Sequence, residues 1–308
     1  MVTDMGNAVK HSIKGEHYLT TKDYSKGVVS FQEEVAESPD SSLANYYYGR
    51  FLLGDKQFDD ALKYLQRAST LDPENPDYYF WLGVAQNSVG KRNLERENYL
   101  KALSFDKDHL RSLIYLGHNY LESKEYDKAL KNYTRALQIW PASPSSLYNR
   151  ALILSKLDRK PEALEGWLEY LSYYPSGAMA RTAVVHLNTL EDYSFRNYRL
   201  RSRTVTIEKI NFQPFSSQID KGSYRSLSLI GAIFNNMKKG TLQVIVYQLN
   251  NKELARRKAR NIKNYLLAHY PDLQPKDIGI SWFDSSEVIR ISKKKKKINE
   301  SVSFFVTK

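Results

Sequence analysis

The 308-residue sequence contains no cysteine. Disulfides, thiolate nucleophiles and zinc–thiolate sites are therefore excluded, although the absence defines no compartment. No apolar run approaches the roughly 18 residues of a membrane-spanning helix, and residues 1–14 lack the apolar stretch of a secretory signal. We expect a globular chain, and any export signal would have been removed or would lie upstream of this sequence.

The common catalytic motifs are also missing. The sequence has no G-x-S-x-G, no H-E-x-x-H, no phosphate-binding loop and no G-x-G-x-x-G. Its histidines do not have the spacing of metal ligands: His11, His17, His109, His118, His186 and His269. We therefore expect a protein that is not an enzyme and that holds neither a metal nor a cofactor.

Positive charge is in excess in only one part of the chain. Residues 191–308 carry 23 Lys and Arg against 10 Asp and Glu, a net +13, whereas residues 1–190 sum to −1. This asymmetry predicts that the C-terminal part meets something anionic. The N-terminal part is expected to recognise its partner by shape and apolar contact.

A period of 34 residues runs through the N-terminal part. Pro39, Pro73, Pro141 and Pro175 share one phase of this period. Two further positions of the repeat are mostly small: Gly15, Gly49, Gly83, Gly117 and Ala151 at one, and Gly27, Ala61, Glu95, Ala129 and Ala163 at the other. Small residues at such intervals let two helices of a hairpin approach closely, and proline ends the second helix.

The period resembles that of the tetratricopeptide repeat (TPR) family, with repeats beginning near residues 8, 42, 76, 110 and 144. The resemblance predicts an α-solenoid of TPR helical hairpins over residues 8–190, in which each hairpin buries its apolar face against its neighbours. Residues 177–190 continue the helical pattern without a new repeat, and we expect them to form the capping helix. Residues 191–203 are predicted to be a linker.

In TPR proteins the first helix of each hairpin lines a groove. The resemblance assigns Ser12, Tyr46, Phe80, Ile114 and Tyr148 to one groove row, and Glu16, Arg50, Val84, His118 and Leu152 to the next. Because four of the first five are large and apolar, we expect a solvent-facing apolar stripe that binds an apolar or helical protein segment. Alternatively, these side chains touch neighbouring helices, or the C-terminal domain folds back onto the groove. The Lys and Asn that clamp a C-terminal carboxylate in a TPR subgroup are replaced by Ser12 and Glu16.

The periodicity changes after the linker. Strand-like alternation at 204–212, 241–249, 279–284 and 301–306, with helical spacing at 223–237 and 252–270, gives the order β-α-β-α-β-β. This order predicts a small α/β sandwich over residues 204–308, with helices on one face of a sheet.

The order and several local segments resemble the OmpA-like domain of bacterial envelope proteins. The segments are INFQPFSSQI from residue 210, LARRKARNIKNYL from residue 254, and NESVSFFV from residue 299. The family binds the diaminopimelate unit of peptidoglycan with an Asp and an Arg. Here residues 246–253 contain no Asp, Lys258 stands in the Arg position, and Glu300 and Ser301 replace a closing Arg pair. Lysine lacks the planar fork that a carboxylate prefers, so these replacements argue against binding in the family's manner.

Two basic segments remain in this domain. The helix around residue 258 offers a candidate anionic-ligand surface at Arg256, Arg257, Lys258, Arg260 and Lys263. It could meet anionic phospholipid, lipopolysaccharide phosphate or peptidoglycan. Residues 293–297 are five consecutive lysines, which we interpret as a solvated hairpin loop. No nucleic-acid-binding motif accompanies this charge.

These features predict a scaffold or adaptor of the bacterial cell envelope, located in the periplasm. Its repeats would capture a protein segment, and its OmpA-like domain would dock at the cell wall or a membrane. Two alternatives are a peptidoglycan-binding protein with altered ligand residues and a cytoplasmic assembly chaperone.

Overall fold

The computed structural model describes residues 2–237, 239–291 and 294–307, with side chains from residue 10. Eleven helices come first among the described residues. They are α1 Val2–Thr21, α2 Tyr24–Glu37, α3 Ser42–Gly54, α4 Phe58–Leu71, α5 Pro76–Ser88, α6 Arg92–Phe105, α7 Leu110–Glu122, α8 Tyr126–Ile139, α9 Pro144–Lys156, α10 Lys160–Tyr173 and α11 Gly177–Thr189. This alternation of first and second helices agrees with the predicted repeat register.

The backbone repeats the 34-residue period of the sequence. Five turn residues spaced by 34 have positive φ angles: Lys22 at 57°, Lys56 at 66°, Gly90 at 76°, Lys124 at 60° and Asp158 at 55°. Each lies in the turn between the first and second helix of a hairpin. The left-handed conformation lets the chain reverse there, at a cost that only glycine avoids.

The glycines of the repeat allow close packing between the two helices of a hairpin. A Cβ added to Gly83 would lie 2.5 Å from Tyr99 Cε1, and one added to Gly117 would lie 2.8 Å from Tyr133 Cε1. Both tyrosines are fully buried. The predicted reason for the small residues is therefore confirmed: they leave room for the large side chain 16 positions later.

One buried carboxylate joins α1 to α2. Glu34 Oε2 lies 2.7 Å from His11 Nε2, and Glu34 Oε1 accepts a hydrogen bond of 2.8 Å from Lys14 Nζ. Lys10 Nζ lies 3.3 Å away. Burial alone would raise the pKa of Glu34, but hydrogen bonds from Lys14, His11 and Lys10 lower it to about 2. The carboxylate is therefore ionised and paired at neutral pH.

The C-terminal part contains two more α-helices and seven strands among its described residues. They are β1 Phe195–Leu200, β2 Arg203–Glu208, α12 Tyr224–Met237, β3 Thr241–Gln248, α13 Lys252–His269, β4 Ile278–Phe283, β5 Glu287–Ile291, β6 Lys294–Ile298 and β7 Glu300–Thr307. β3 pairs in parallel with β4 and antiparallel with β7, which gives the sheet order β4-β3-β7. There are also two antiparallel hairpins: β1-β2 precedes the sheet in the chain, and β5-β6 lies between β4 and β7.

The core of this part lies between the sheet and the two helices. Leu242, Val244 and Val246 of β3 are fully buried against Leu227 of α12 and Ile262 of α13. The burial of β3 alternates, as a sheet covered on one face requires. The predicted helices and the predicted strands at 241–249, 279–284 and 301–306 are present, with bounds shifted by one or two residues.

Two predictions about this part are wrong. Residues 195–200 of the predicted linker form strand β1. Lys294–Lys297 belong to strand β6 and pair with β5, so they are not a loop; Lys293 lies outside the described residues. The chain divides into two compact units between Ile153 and Leu154, inside α9. α10 and α11 therefore belong to the second unit, in which α11 packs against β1 and β2.

Candidate partner-binding site

Arg50 of α3 and Trp81 of α5 form the centre of the candidate site. The guanidinium carbon of Arg50 lies 4.1 Å from the centroid of the Trp81 ring and 5.2 Å from that of Tyr46. Arg50 Nη1 also donates a hydrogen bond of 3.0 Å to Tyr46 Oη. This stacking holds the guanidinium plane in one orientation between the first helices of two successive hairpins.

Two donors of this pair lack an acceptor. Among the described residues nothing accepts a hydrogen bond from Arg50 Nε or from Trp81 Nε1. Both side chains are only partly exposed. Polar atoms that have almost no access to water are normally hydrogen-bonded, so these two donors are exceptions, and a partner's oxygen could reach them only if the side chains moved.

Asp77 lies beside this pair and supplies the opposite charge. Its carboxylate lies 3.4 Å from His109 Nε2 and 3.4 Å from Arg111 Nη1. The hydrogen bond from His109 outweighs the effect of burial, and together with the charges of Arg111 and Arg50 it lowers the pKa of Asp77. The site therefore has an ionised acid next to a stacked cation.

Tyr115 of α7 extends the site along the next hairpin. Its side chain is 39% exposed, and its ring packs edge to face on Phe80 at 5.1 Å between centroids. The centroid of the His118 ring lies 5.6 Å from that of the Tyr115 ring. Burial lowers the pKa of His118, so this imidazole is neutral near pH 7 and adds apolar surface.

Two residues of the predicted apolar stripe, Tyr46 and Phe80, do not face solvent. Tyr46 is 6% exposed and Phe80 is 3% exposed. Phe80 lies among the rings of Trp81, Tyr99 and Tyr115, because a ring at this position reaches the second helix of its own hairpin and the next first helix. Tyr46 and Phe80 therefore follow the alternative prediction, in which these side chains contact neighbouring helices.

The other predicted groove residues are less deeply placed. Six are partly exposed: Arg50, Val84, Ile114, His118, Tyr148 and Leu152. Ser12 is also partly exposed, and Glu16 is exposed and accepts a hydrogen bond of 2.9 Å from Tyr47 Oη. Their contact with a partner stays a prediction.

Trp81 and Tyr115 were not among the predicted site residues. They occupy the sixth position of their repeats, next to the fifth position that the family pattern assigns to the groove. The sequence signal that could have identified them is a large aromatic residue at a position that the repeat pattern does not specify. Side-chain reach, rather than the period, decides which of the two neighbouring aromatics is buried.

Three of the five residues of the predicted anionic-ligand surface have partners inside the domain. Arg256 makes a bidentate contact of 2.8 Å per bond with Glu253, and Lys263 Nζ donates 2.6 Å bonds to the backbone oxygens of Pro275 and Ile278. Lys258 belongs to the core. Only Arg257 and Arg260 of this set are exposed.

The burial of Lys258 corrects its predicted role. Its side chain is 2% exposed, and its ammonium lies 2.8 Å from Glu300 Oε2 and donates a 2.6 Å bond to Gln248 Oε1. The ring of Phe212 lies 4.6 Å from the same nitrogen. Lys258 therefore already has a carboxylate partner and presents no charge to an outside ligand.

The second unit also contains a cavity of about 320 Å³. Its wall includes Tyr193, Glu208, Lys209 and Glu300. The Tyr193 hydroxyl has no hydrogen-bond partner among the described residues.

Throughout the described residues, no group of three or more His, Asp or Glu side chains is arranged to hold a metal ion. Nor does any described helix combine the length and hydropathy that crossing a membrane requires.

Comparison with known proteins bears out the repeat prediction. A family model described as TPR repeat matches residues 55–90 and 117–158. The structure of PilF from Pseudomonas aeruginosa superposes with a TM-score of 0.56 at 16% identity, over 62% of this chain and 87% of that one. A structure of MamA gives a TM-score of 0.48 at 18% identity, over 52% of this chain and 93% of that one. The chain thus carries tetratricopeptide repeats, a fold that generally mediates protein–protein interaction.

Curated relatives share only part of their length with this chain. Human Protein O-mannosyl-transferase TMTC3 is 25% identical over 169 residues, which are 53% of this chain and 18% of that protein. Hsp70-Hsp90 organizing protein 1 of Glycine max is 29% identical over 110 residues, 36% of this chain and 18% of that protein. The DnaJ homolog subfamily C member 7 homolog of Dictyostelium discoideum is 26% identical over 156 residues, 46% of this chain and 29% of that protein. The chain spans less than a third of each relative.

Proposed function

We propose that this protein is a non-enzymatic adaptor of the bacterial cell envelope. Its repeat unit binds a segment of a partner protein across the first helices of the hairpins. Its C-terminal unit, with an OmpA-like fold, holds the captured partner at the cell wall or at a membrane face in the periplasm. The observation that carries the proposal is the partly exposed, stacked Arg50–Trp81 pair between the first helices of two successive hairpins.

The chemistry of the site defines the segment that would fit. Arg50 and Trp81 favour a carboxylate or carbonyl oxygen, whereas Val84, Tyr115 and neutral His118 favour an aliphatic or aromatic side chain. Asp77 favours a basic or amide group nearby. We therefore expect a helical or extended segment in which one acidic residue lies close to a large apolar residue, rather than a wholly apolar one.

An OmpA-like fold is supported by the topology of the second unit. A parallel β3–α13–β4 crossover is followed by an antiparallel closing strand, β7, in the predicted order. The paired Lys258 and Glu300 argue against a peptidoglycan ligand held in the family's manner, because the position that should meet the ligand's carboxylate is neutralised from within. Docking therefore depends on other surfaces of this unit.

A second candidate is an assembly chaperone of the cytoplasm. The similarity to an Hsp70-Hsp90 organizing protein and to a DnaJ homolog favours it. Fractionation of cells that express the protein from its natural gene separates the two candidates. Recovery with the periplasmic or envelope fraction supports the adaptor, and recovery with the cytosol supports the chaperone.

Peptide selection tests the proposed binding site directly. A library of random peptides displayed on phage would be selected on the full chain, and enriched peptides would be measured by fluorescence anisotropy. We expect enriched sequences to combine an acidic residue with a large apolar one. If selection enriches no peptide, or enriches peptides that bind the Arg50→Gln, Trp81→Ala variant equally well, the proposed site is wrong.

A further inference from the structure

The β5-β6 hairpin presents a basic face whose charges have no acidic partners among the described residues. Alternation along the two strands places Val288, Arg290, Lys295 and Lys297 on one face, and all four are exposed. We call these four residues the basic hairpin face. The opposite face carries Glu287 and Ile289, which are buried or partly buried.

The arrangement of these charges opposes folding. In the register of the hairpin, Arg290 lies directly opposite Lys295. Directly opposed side chains on one face are about 5 Å apart at Cβ, and like charges at that distance destabilise a hairpin. Val288 lies opposite Lys297 on the same face and is 55% exposed.

Other cations of this unit, in contrast, have carboxylate partners. Lys296 pairs with Glu191, Lys258 with Glu300, Arg196 with Glu287, and Arg256 with Glu253. In the described part of the chain, no ion pair involves Arg290, Lys295 or Lys297. The hairpin is held in place from its other face, where Glu287 accepts bonds of 2.6 and 3.0 Å from Arg196 and one of 2.8 Å from Ser303. The basic face is therefore fixed on the domain and unneutralised.

We propose that the basic hairpin face binds the surface of a membrane that contains anionic phospholipid. Three closely spaced cations complement several lipid phosphates at once. The exposed Val288 among them suits the boundary between headgroups and acyl chains, where an apolar side chain leaves water. A nucleic acid would gain nothing from Val288, and this face has no aromatic ring on which a base could stack.

This inference rests on the proposed docking role of the C-terminal unit and names its ligand. It moves the anionic-ligand surface from α13, where the five predicted residues lie, to the hairpin. Peptide binding at Arg50 and Trp81 is measured separately from membrane binding. A failure of the membrane inference would therefore leave the repeat unit's proposed role untouched, and the reverse also holds.

The test is sedimentation of the full chain with lipid vesicles. Vesicles of phosphatidylcholine alone would be compared with vesicles that also contain phosphatidylglycerol, at low and moderate salt. The Arg290→Gln, Lys295→Gln, Lys297→Gln variant should bind the anionic vesicles about a hundredfold more weakly. Its melting temperature should equal or exceed that of the unmodified chain, because a repulsive pair has been removed.

Two comparison variants make the result specific. Lys91→Gln, Lys107→Gln, Lys131→Gln removes the same net charge from exposed positions of the repeat unit, and Arg257→Gln, Arg260→Gln removes the exposed cations of α13. Both should retain most of the binding. Equal loss in the repeat-unit variant, loss only in the α13 variant, or no preference of the unmodified chain for anionic vesicles would each overturn the proposal. Tighter binding to a single-stranded oligonucleotide or to peptidoglycan sacculi than to vesicles would overturn it as well.

Discussion

The ammonium of Lys258 lies 2.8 Å from the carboxylate of Glu300 and is almost completely buried, whereas the Glu300 side chain is 37% exposed. The two partners therefore differ in what each loses when the other is removed. An isolated buried ammonium has no access to water, but an isolated Glu300 carboxylate can be hydrated.

We predict an asymmetric cost of breaking this pair. Glu300→Ala should destabilise the chain by about 3 kcal/mol, because it leaves the Lys258 charge buried with only Gln248 as a strong acceptor. Lys258→Met should cost about 1 kcal/mol, because Met fills the space and Glu300 turns to solvent. Urea denaturation of both variants gives the comparison. Equal costs would mean that Lys258 has another route to water.

Replacing the buried Glu95 with Gln should increase the stability of the chain in a pH-dependent way. It occupies a repeat position that is otherwise small, is 5% exposed, and accepts a 2.9 Å bond from Asn119 Nδ2. Burial raises its pKa, so the folded state prefers the protonated acid and stability falls as pH rises through that pKa. Glu95→Gln keeps the acceptor and should raise the melting temperature by about 2–4 °C at pH 7. The two proteins should melt alike near pH 4, and a gain of the same size there would refute the explanation.

The positive φ angles of Lys124 and Gly90 lead to opposite predictions for the stability of variants at these two turns. Lys124→Gly should stabilise the chain by up to about 1 kcal/mol, because a left-handed backbone is costly for lysine. Gly90→Ala should destabilise it by about 1 kcal/mol, because it imposes that cost where a Cβ meets no other atom. Thermal denaturation distinguishes the two signs. A loss of stability in Lys124→Gly would show that the lysine side chain contributes more than its backbone costs.

Phe80 and Trp81 are adjacent in the sequence and should respond in opposite ways. Phe80→Ala removes a 3% exposed ring from the centre of an aromatic cluster and should cost about 3–5 kcal/mol. Trp81→Ala removes a partly exposed ring and should cost about 1–2 kcal/mol, with a larger effect on peptide binding. Denaturation and anisotropy on both variants check this. If Trp81→Ala proves the more destabilising change, Trp81 belongs to the core and not to the site.

The sequence predicted most of the architecture because periodic apolar positions are local information. Gly83 and Tyr99 are 16 residues apart in one hairpin, and the alternation of Leu242, Val244 and Val246 lies within one strand. Strand β6 was missed because consecutive lysines have no alternation, and its pairing with β5 is decided by the rest of the fold.

The site was harder to predict than the fold. The repeat pattern assigns positions to a helix face, but the reach of a side chain decides whether it faces solvent. Phe80 turns into the hairpin, while Trp81 lies under Arg50 from the preceding hairpin. The buried pair of Lys258 and Glu300 joins residues 42 positions apart, a contact that no local pattern contains.

The most direct test of the adaptor account is the affinity of a selected peptide for three proteins: the unmodified chain, Trp81→Ala and Leu100→Ala. Leu100 is a 46% exposed apolar residue of α6, a second helix, and serves as the matched control. The account predicts that Trp81→Ala weakens binding at least about tenfold, as expected for loss of an aromatic anchor, while Leu100→Ala leaves it unchanged. Equal affinity for the unmodified chain and Trp81→Ala, with loss in Leu100→Ala, would contradict it and place the binding surface on the second helices.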